Sequence, residues 1–176
     1  MTLLKQENCF LLRRFISIVE SVTDSQYLLS DQPLFKSSIG AHVRHVLDHY
    51  QALINALSDG SLSGHVNYDE RTRDESVEIN RSVAIDRLNA MITLVEQIND
   101  YDVSLIVSMD VGSPDAVGVI PQRSTVGREL TFLHSHHIHH EALIAFILRV
   151  LNITSIDNEI GLAPSTLKHT IKQRKL

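Results

Sequence analysis

Apolar residues recur every three to four positions over most of the chain, and where that period lapses the sequence turns polar or carries glycine and proline. Leu4, Leu11, Leu12, Phe15, Ile18, Val19 and Val22 predict an amphipathic first helix ending near Thr23. The Ser30-Asp31-Gln32-Pro33 stretch breaks it. Ser37 and Ser38 are good N-cap residues for a second helix to about Leu57, whose stripe runs through Ile39, Val43, Val46, Leu47, Tyr50, Leu53 and Ile54. Ser58-Asp59-Gly60 stops that helix. Ser61 to Asp74 reads as a polar, irregular loop, after which Val83, Leu88, Met91, Ile92, Val95 and Ile98 predict a third helix.

The period then changes. Val103, Leu105, Val107 and Met109 alternate with mostly polar residues, a Gly112-Ser113-Pro114-Asp115 turn follows, and Val117, Val119 and Ile120 come next. This predicts a small β-hairpin inserted ahead of the last and longest helix, from about Ser124 to Leu151. The fold class expected is therefore all-α, a four-helix bundle over residues 1–152 with a hairpin insertion. Residues 153–176 form a tail that packs on the bundle or extends from it.

Composition narrows the function classes. The 176 residues suit one domain, and a hydrophobic fraction of 43% with 21% charged residues is that of a folded globular chain. A net charge of −5 gives no basic face for nucleic acid, and the cluster from Lys168 to Lys175 reads as a solvated tail. The apolar run from Ala142 to Leu151 is interrupted by Arg149 and is shorter than the roughly 20 residues of a membrane helix. Charges among the first residues argue against a signal segment, so a cytoplasmic location is expected. Cys9 is the only cysteine, which excludes an internal disulfide and any cysteine zinc knuckle. Any soft metal must use histidine.

Ten histidines are present, eight of them in two short segments. In the fourth helix His136 and His140 lie one turn apart on the same side as Leu133, Leu143, Ile144 and Ile147, a spacing that lets two imidazoles hold one ion from one face. His137 is near that face, whereas His134 and His139 point away. The second helix offers His42, His45 and His49, any of which would complete three nitrogens with coordination positions left open. Periodicity places His42 and His49 at the edge of the apolar stripe and His45 on the far side, among Ala41, Ala52 and Ala56. On that count alone His42 or His49 is favoured.

The Ser38-Ile39 opening, the His42-Val43-Arg44-His45 segment and the His136-xxx-His140 pair together resemble the DinB-like superfamily of metal-binding four-helix bundles, in order and spacing over most of the chain. The resemblance implies His45, His136 and His140 as metal ligands, which overrules the helical wheel. It leaves His42 and His49 as alternatives or supporting residues. Ala142 stands where the family often has glycine. The resemblance further implies a divalent ion, zinc or nickel, and transfer or isomerisation chemistry with a low-molecular-weight thiol. The alternative function is a metal-binding stress or regulatory protein without turnover.

Other residues complete the reading. Asp48, one turn from His45, is placed to orient a ligand imidazole through its second nitrogen. Tyr68, Asp69, Arg71 and Arg73 make the loop before the third helix a candidate substrate roof. Glu129, about two turns before His136, could reach toward the ion. The partner expected is a small-molecule substrate, with no nucleic acid and no membrane. The apolar end of the fourth helix, Phe146 to Leu151, suggests a homodimer.

Overall fold

The computed structural model describes residues 2–31, 33–58, 64–70, 72–112, 118–153 and 159–173. Among these lie seven helices: α1 (Leu3–Ser21), α2 (Asp24–Leu28), α3 (Ile39–Ser58), α4 (Glu75–Ile79), α5 (Arg81–Gln97), α6 (Val126–Val150) and α7 (Pro164–Gln173). They are joined by three strands, β1 (Gly64–Asn67), β2 (Ser104–Ser108) and β3 (Gln122–Thr125). The clean four-helix bundle expected from the periodicity is therefore incorrect: the fold is mostly helical with a small mixed sheet.

Local chemistry explains the departures. Thr23 and Gln26 form a reciprocal capping box that starts the short α2. Asn80 adopts an extended conformation and its Oδ1 accepts from the amides of Ser82 and Val83, so α4 and α5 are two helices and not one. The hairpin is present as β2 paired antiparallel with β3, but its second strand lies at 122–125, beyond the apolar residues that suggested it. β1, which falls in the stretch read as an irregular loop, pairs in parallel with β2 from Gly64 opposite Leu105 to Asn67 opposite Ser108. With only four residues and one large apolar side chain, β1 has too little pattern to stand out. The Asp59-Gly60 stop, Gln32, the Ser113-Pro114-Asp115 turn with Val117, and the end of the basic cluster at Arg174 and Lys175 lie outside the described residues.

One core unites α1, α3, α5, α6 and the inner face of the sheet, with Leu12, Phe15, Ile39, Tyr50, Leu53, Leu88, Leu105, Leu130 and Ile144 all fully buried. Lys5 locks α1 to the end of α5 by donating from Nζ to the carbonyls of Glu96 (2.8 Å) and Ile98 (2.6 Å), the terminal carbonyls a helix cannot satisfy itself. α3 meets α4 closely at Gly40, where a Cβ would overlap the Glu78 carbonyl and the Tyr27 ring. In the last part of α6 Ile147 and Leu148 are buried while Leu143 and Phe146 face outward, so much of the apolar end serves this chain's own core. The tail returns to α6 at Gly161, which packs against Ala142. No helix among the described residues is long and apolar enough to cross a membrane.

A buried ion pair ties α1 to α6. Glu141, fully buried, accepts from Arg14, and His137 Nε2 lies 3.8 Å from its other carboxylate oxygen. Burial raises the Glu141 carboxyl to about 7, with Arg14 pulling the other way. Removing one partner of such a pair leaves an uncompensated buried charge. Arg14→Met should lower unfolding stability by about 3 kcal/mol in urea denaturation. Arg13→Met, which breaks the exposed pair with Glu96, should cost under about 1 kcal/mol. Equal losses would contradict this reading.

Candidate metal centre

The site is assembled where α3 packs against α6. Thr125 caps α6 by accepting from the Arg128 amide (3.3 Å), and β3 runs directly into the helix, so the start of α6 is fixed by the sheet. About three turns on, α6 presents His136 and His140, while α3 presents His45. One nitrogen from each of His45, His136 and His140 lies within 4.8 Å of the others, a group that could hold a metal ion. The family resemblance, not the helical wheel, is the reading that names these three. The wheel undervalued His45 because its small-residue face packs too: Ala56 is buried and Ala52 packs against the core.

The donor set fits a divalent transition ion. Ligand imidazoles must be neutral, and burial, followed by neighbouring His136, His45, His42 and His139, lowers His140 to about 2. Burial likewise lowers His42 to about 4. Three neutral nitrogens are the ligand class of zinc, copper, iron and nickel sites and not of calcium or magnesium.

The remaining histidines take distinct places. His42 Nδ1 lies 3.0 Å from His140 Nδ1, so one nitrogen of the pair carries the proton and the other accepts it. This contact occupies His140 Nδ1 and leaves its Nε2 as the nitrogen available to an ion. His49 donates from Nδ1 to the His45 carbonyl (2.8 Å), which fixes its tautomer because a carbonyl only accepts. Its ring sits 4.4 Å from that of His45 and 4.3 Å from that of His136. His137 instead points into the core, fully buried against Phe15 with ring centroids 4.0 Å apart, and burial lowers its pKa well below the ordinary histidine value. His139 is exposed.

The substrate-roof residues separate. Tyr68 is buried, stacks on His49 at 5.3 Å and donates its hydroxyl to Glu129 (2.8 Å). Asp69 accepts from the Asp110 amide at the end of the hairpin (2.6 Å), Arg73 is exposed, and Arg71 lies outside the described residues. Asp48 accepts from Arg44 (3.1 Å) and lines a cleft on the neighbouring face of α3. Glu129 is fully buried and committed elsewhere: besides Tyr68 it accepts from Ser124 and from Arg128 (2.9 Å). Phe132 was not singled out from the sequence, yet it stacks on His136 at 5.6 Å and meets Tyr68 at 5.1 Å, giving the site an aromatic wall. Its place four residues before His136 is the signal that could have found it.

No family model matches the chain, and no solved structure matches it. A 110-residue stretch is 36% identical to a Rhizopus delemar protein named FK506-binding protein 5, covering 61% of this chain and 28% of that protein. The match thus spans little more than a quarter of the relative's length.

The His42 contact has a measurable consequence. Partners that hold a ligand histidine through its second nitrogen contribute about 10- to 100-fold to metal affinity. His42→Ala should still take up an ion but bind it more weakly by about that factor in competition with a chromophoric zinc chelator. His42→Asn, whose Oδ1 can accept where Nδ1 did, should recover most of the loss. Identical affinities in all three proteins would show that the contact does not support the site.

Proposed function

We propose that the chain is a metal-dependent enzyme of the DinB-like superfamily, holding one zinc or nickel ion on His45, His136 and His140. The observation that carries this reading is the convergence of those three nitrogens from two helices. When bound, such an ion acts as a Lewis acid and lowers the pKa of a small thiol or water, which makes it a nucleophile at neutral pH. The transfer or isomerisation chemistry proposed is of this thiol-using kind, on a small-molecule substrate.

The chain's own residues have definite parts in this reading. The three imidazoles bind from one side, and three protein nitrogens leave coordination positions for an exogenous ligand. His42 orients His140. Phe132 and Tyr68 exclude water beside His136, and Glu129 is held by Tyr68, Ser124 and Arg128, so it leaves the remaining positions open. The aligned stretch makes up 28% of the Rhizopus delemar relative. Nothing in the name FK506-binding protein 5 assigns binding to that stretch, and it lends no ligand to this chain.

Cobalt-loaded protein tests openness and thiol preference together. Titration with several small thiols should produce an intense near-ultraviolet charge-transfer band, and replacing His136 with alanine should remove it. If neither thiols nor azide nor imidazole changes the spectrum, the site is closed, and a metal-binding protein without turnover replaces the enzyme reading.

A further inference from the structure

Each of the two histidines that α6 offers to an ion is followed by a fully buried polar residue, His137 after His136 and Glu141 after His140. One residue turns a helix by about 100°, so this second pair faces α1 while the imidazoles face α3. Phe15 covers His137. Arg14, on α1, donates to Glu141, and the Gly161 amide donates to the same carboxylate from the tail. Gly161 does so with a left-handed φ of 76°, so close to α6 that a Cβ there would overlap the Ala142 backbone.

As a device for stability alone this cluster is poorly made. Arg14 Nε, both ring nitrogens of His137 and Glu141 Oε1 meet no hydrogen-bond partner among the described residues. His137 Nε2 and Glu141 Oε1 stand 3.8 Å apart, beyond hydrogen-bond range. Buried polar atoms left in this way cost free energy, and apolar side chains of similar volume often join two helices as well as a buried ion pair does. What apolar packing lacks is direction, and a charge-assisted hydrogen bond supplies it. Direction matters here because the ligand nitrogens stand about 5–6 Å from the axis of α6, so that turning the helix by about 10° carries them about 1 Å. Bonds to a metal hold their lengths to within about 0.2 Å.

We infer that Arg14 is a positioning residue for the metal centre: by holding Glu141 it sets the rotation of α6 about its own axis, and so the aim of His136 and His140 at an ion shared with His45. This rests on the metal-centre reading proposed above. Arg14 itself touches neither ion nor substrate and acts through the helix, from the α1 side.

Stability and positioning separate in the double variant Arg14→Met with Glu141→Leu, which removes both charges together and orphans neither. Competition with a chromophoric chelator reads zinc affinity, the visible bands of the cobalt-loaded protein read the arrangement of the ligands, and urea denaturation of the metal-free chain reads stability. The double variant should unfold at a urea concentration no lower than the parent's. It should nevertheless bind zinc at least about 10-fold more weakly, the loss typical when a residue that orients a ligand is removed, and its cobalt bands should shift. A merely structural role predicts the opposite, parental affinity wherever parental stability is kept. Should the double variant prove less stable than the parent, Arg14→Lys decides in its place, because it keeps the charge on a compact, flexible group; several-fold weaker zinc binding is expected. The inference alone is overturned if the parent binds zinc and the deciding variant binds it as tightly. A parent that takes up neither zinc nor cobalt overturns the metal-centre reading, and this inference with it.

Discussion

The site exists only because α3 and α6 pack close enough for an imidazole from one to meet an i, i+4 pair on the other. His45, His136 and His140 together place three nitrogens within 4.8 Å, and no one helix could do so. Crowding neutral imidazoles at a half-buried seam removes polar nitrogens from water, which costs free energy. The packing that enforces it comes from the apolar side chains around the seam, among them Val43, Val46, Leu133 and Ile144. An ion bonded to all three nitrogens would offset much of that cost, which is why metal uptake and the stability of this seam should be linked.

α6 divides its faces among several tasks by simple rotation. His136 and His140 turn toward α3, whereas His137 and Glu141, about 100° further round, turn toward α1, where Phe15 and Arg14 receive them. One turn before His136, Phe132 joins Tyr68. One further turn back, Glu129 collects Tyr68, Ser124 and Arg128 at the edge of the sheet. The sheet therefore has a role out of proportion to its size: it fixes the start of α6 and brings Tyr68 to the histidines. α3 divides in the same way, with His45 and His49 on one face and Arg44 and Asp48 on the cleft side.

Much of this was legible in the residues. The period of apolar positions locates α1, α3, α5 and α6, because long amphipathic helices carry many repeats of their signal. α2, α4 and β1 escaped it, since elements of four or five residues show at most one repeat and depend on capping by Thr23, Asp74 and Asn80 or on pairing with β2. The i, i+4 histidines could be read directly. The choice among His42, His45 and His49 could not, because periodicity ranks burial on one apolar face while α3 is covered on several. His137 was placed near the ligand face, but a one-residue step on a helix moves a side chain by about 100°, and here that step leads into the core. Asp48 reads from the sequence as a support for His45; in the fold its carboxylate accepts from Arg44, on the adjacent face.

Elemental analysis of protein purified without a histidine tag or immobilised metal, alongside His45→Ala, His136→Ala and His140→Ala, tests the central claim most directly. The account predicts about one divalent transition ion per chain in the parent protein and loss of most of it in each variant, since two nitrogens hold such an ion far less well than three. Full metal retention in the variants, or a parent protein that takes up no ion even when zinc or nickel is supplied, would contradict it.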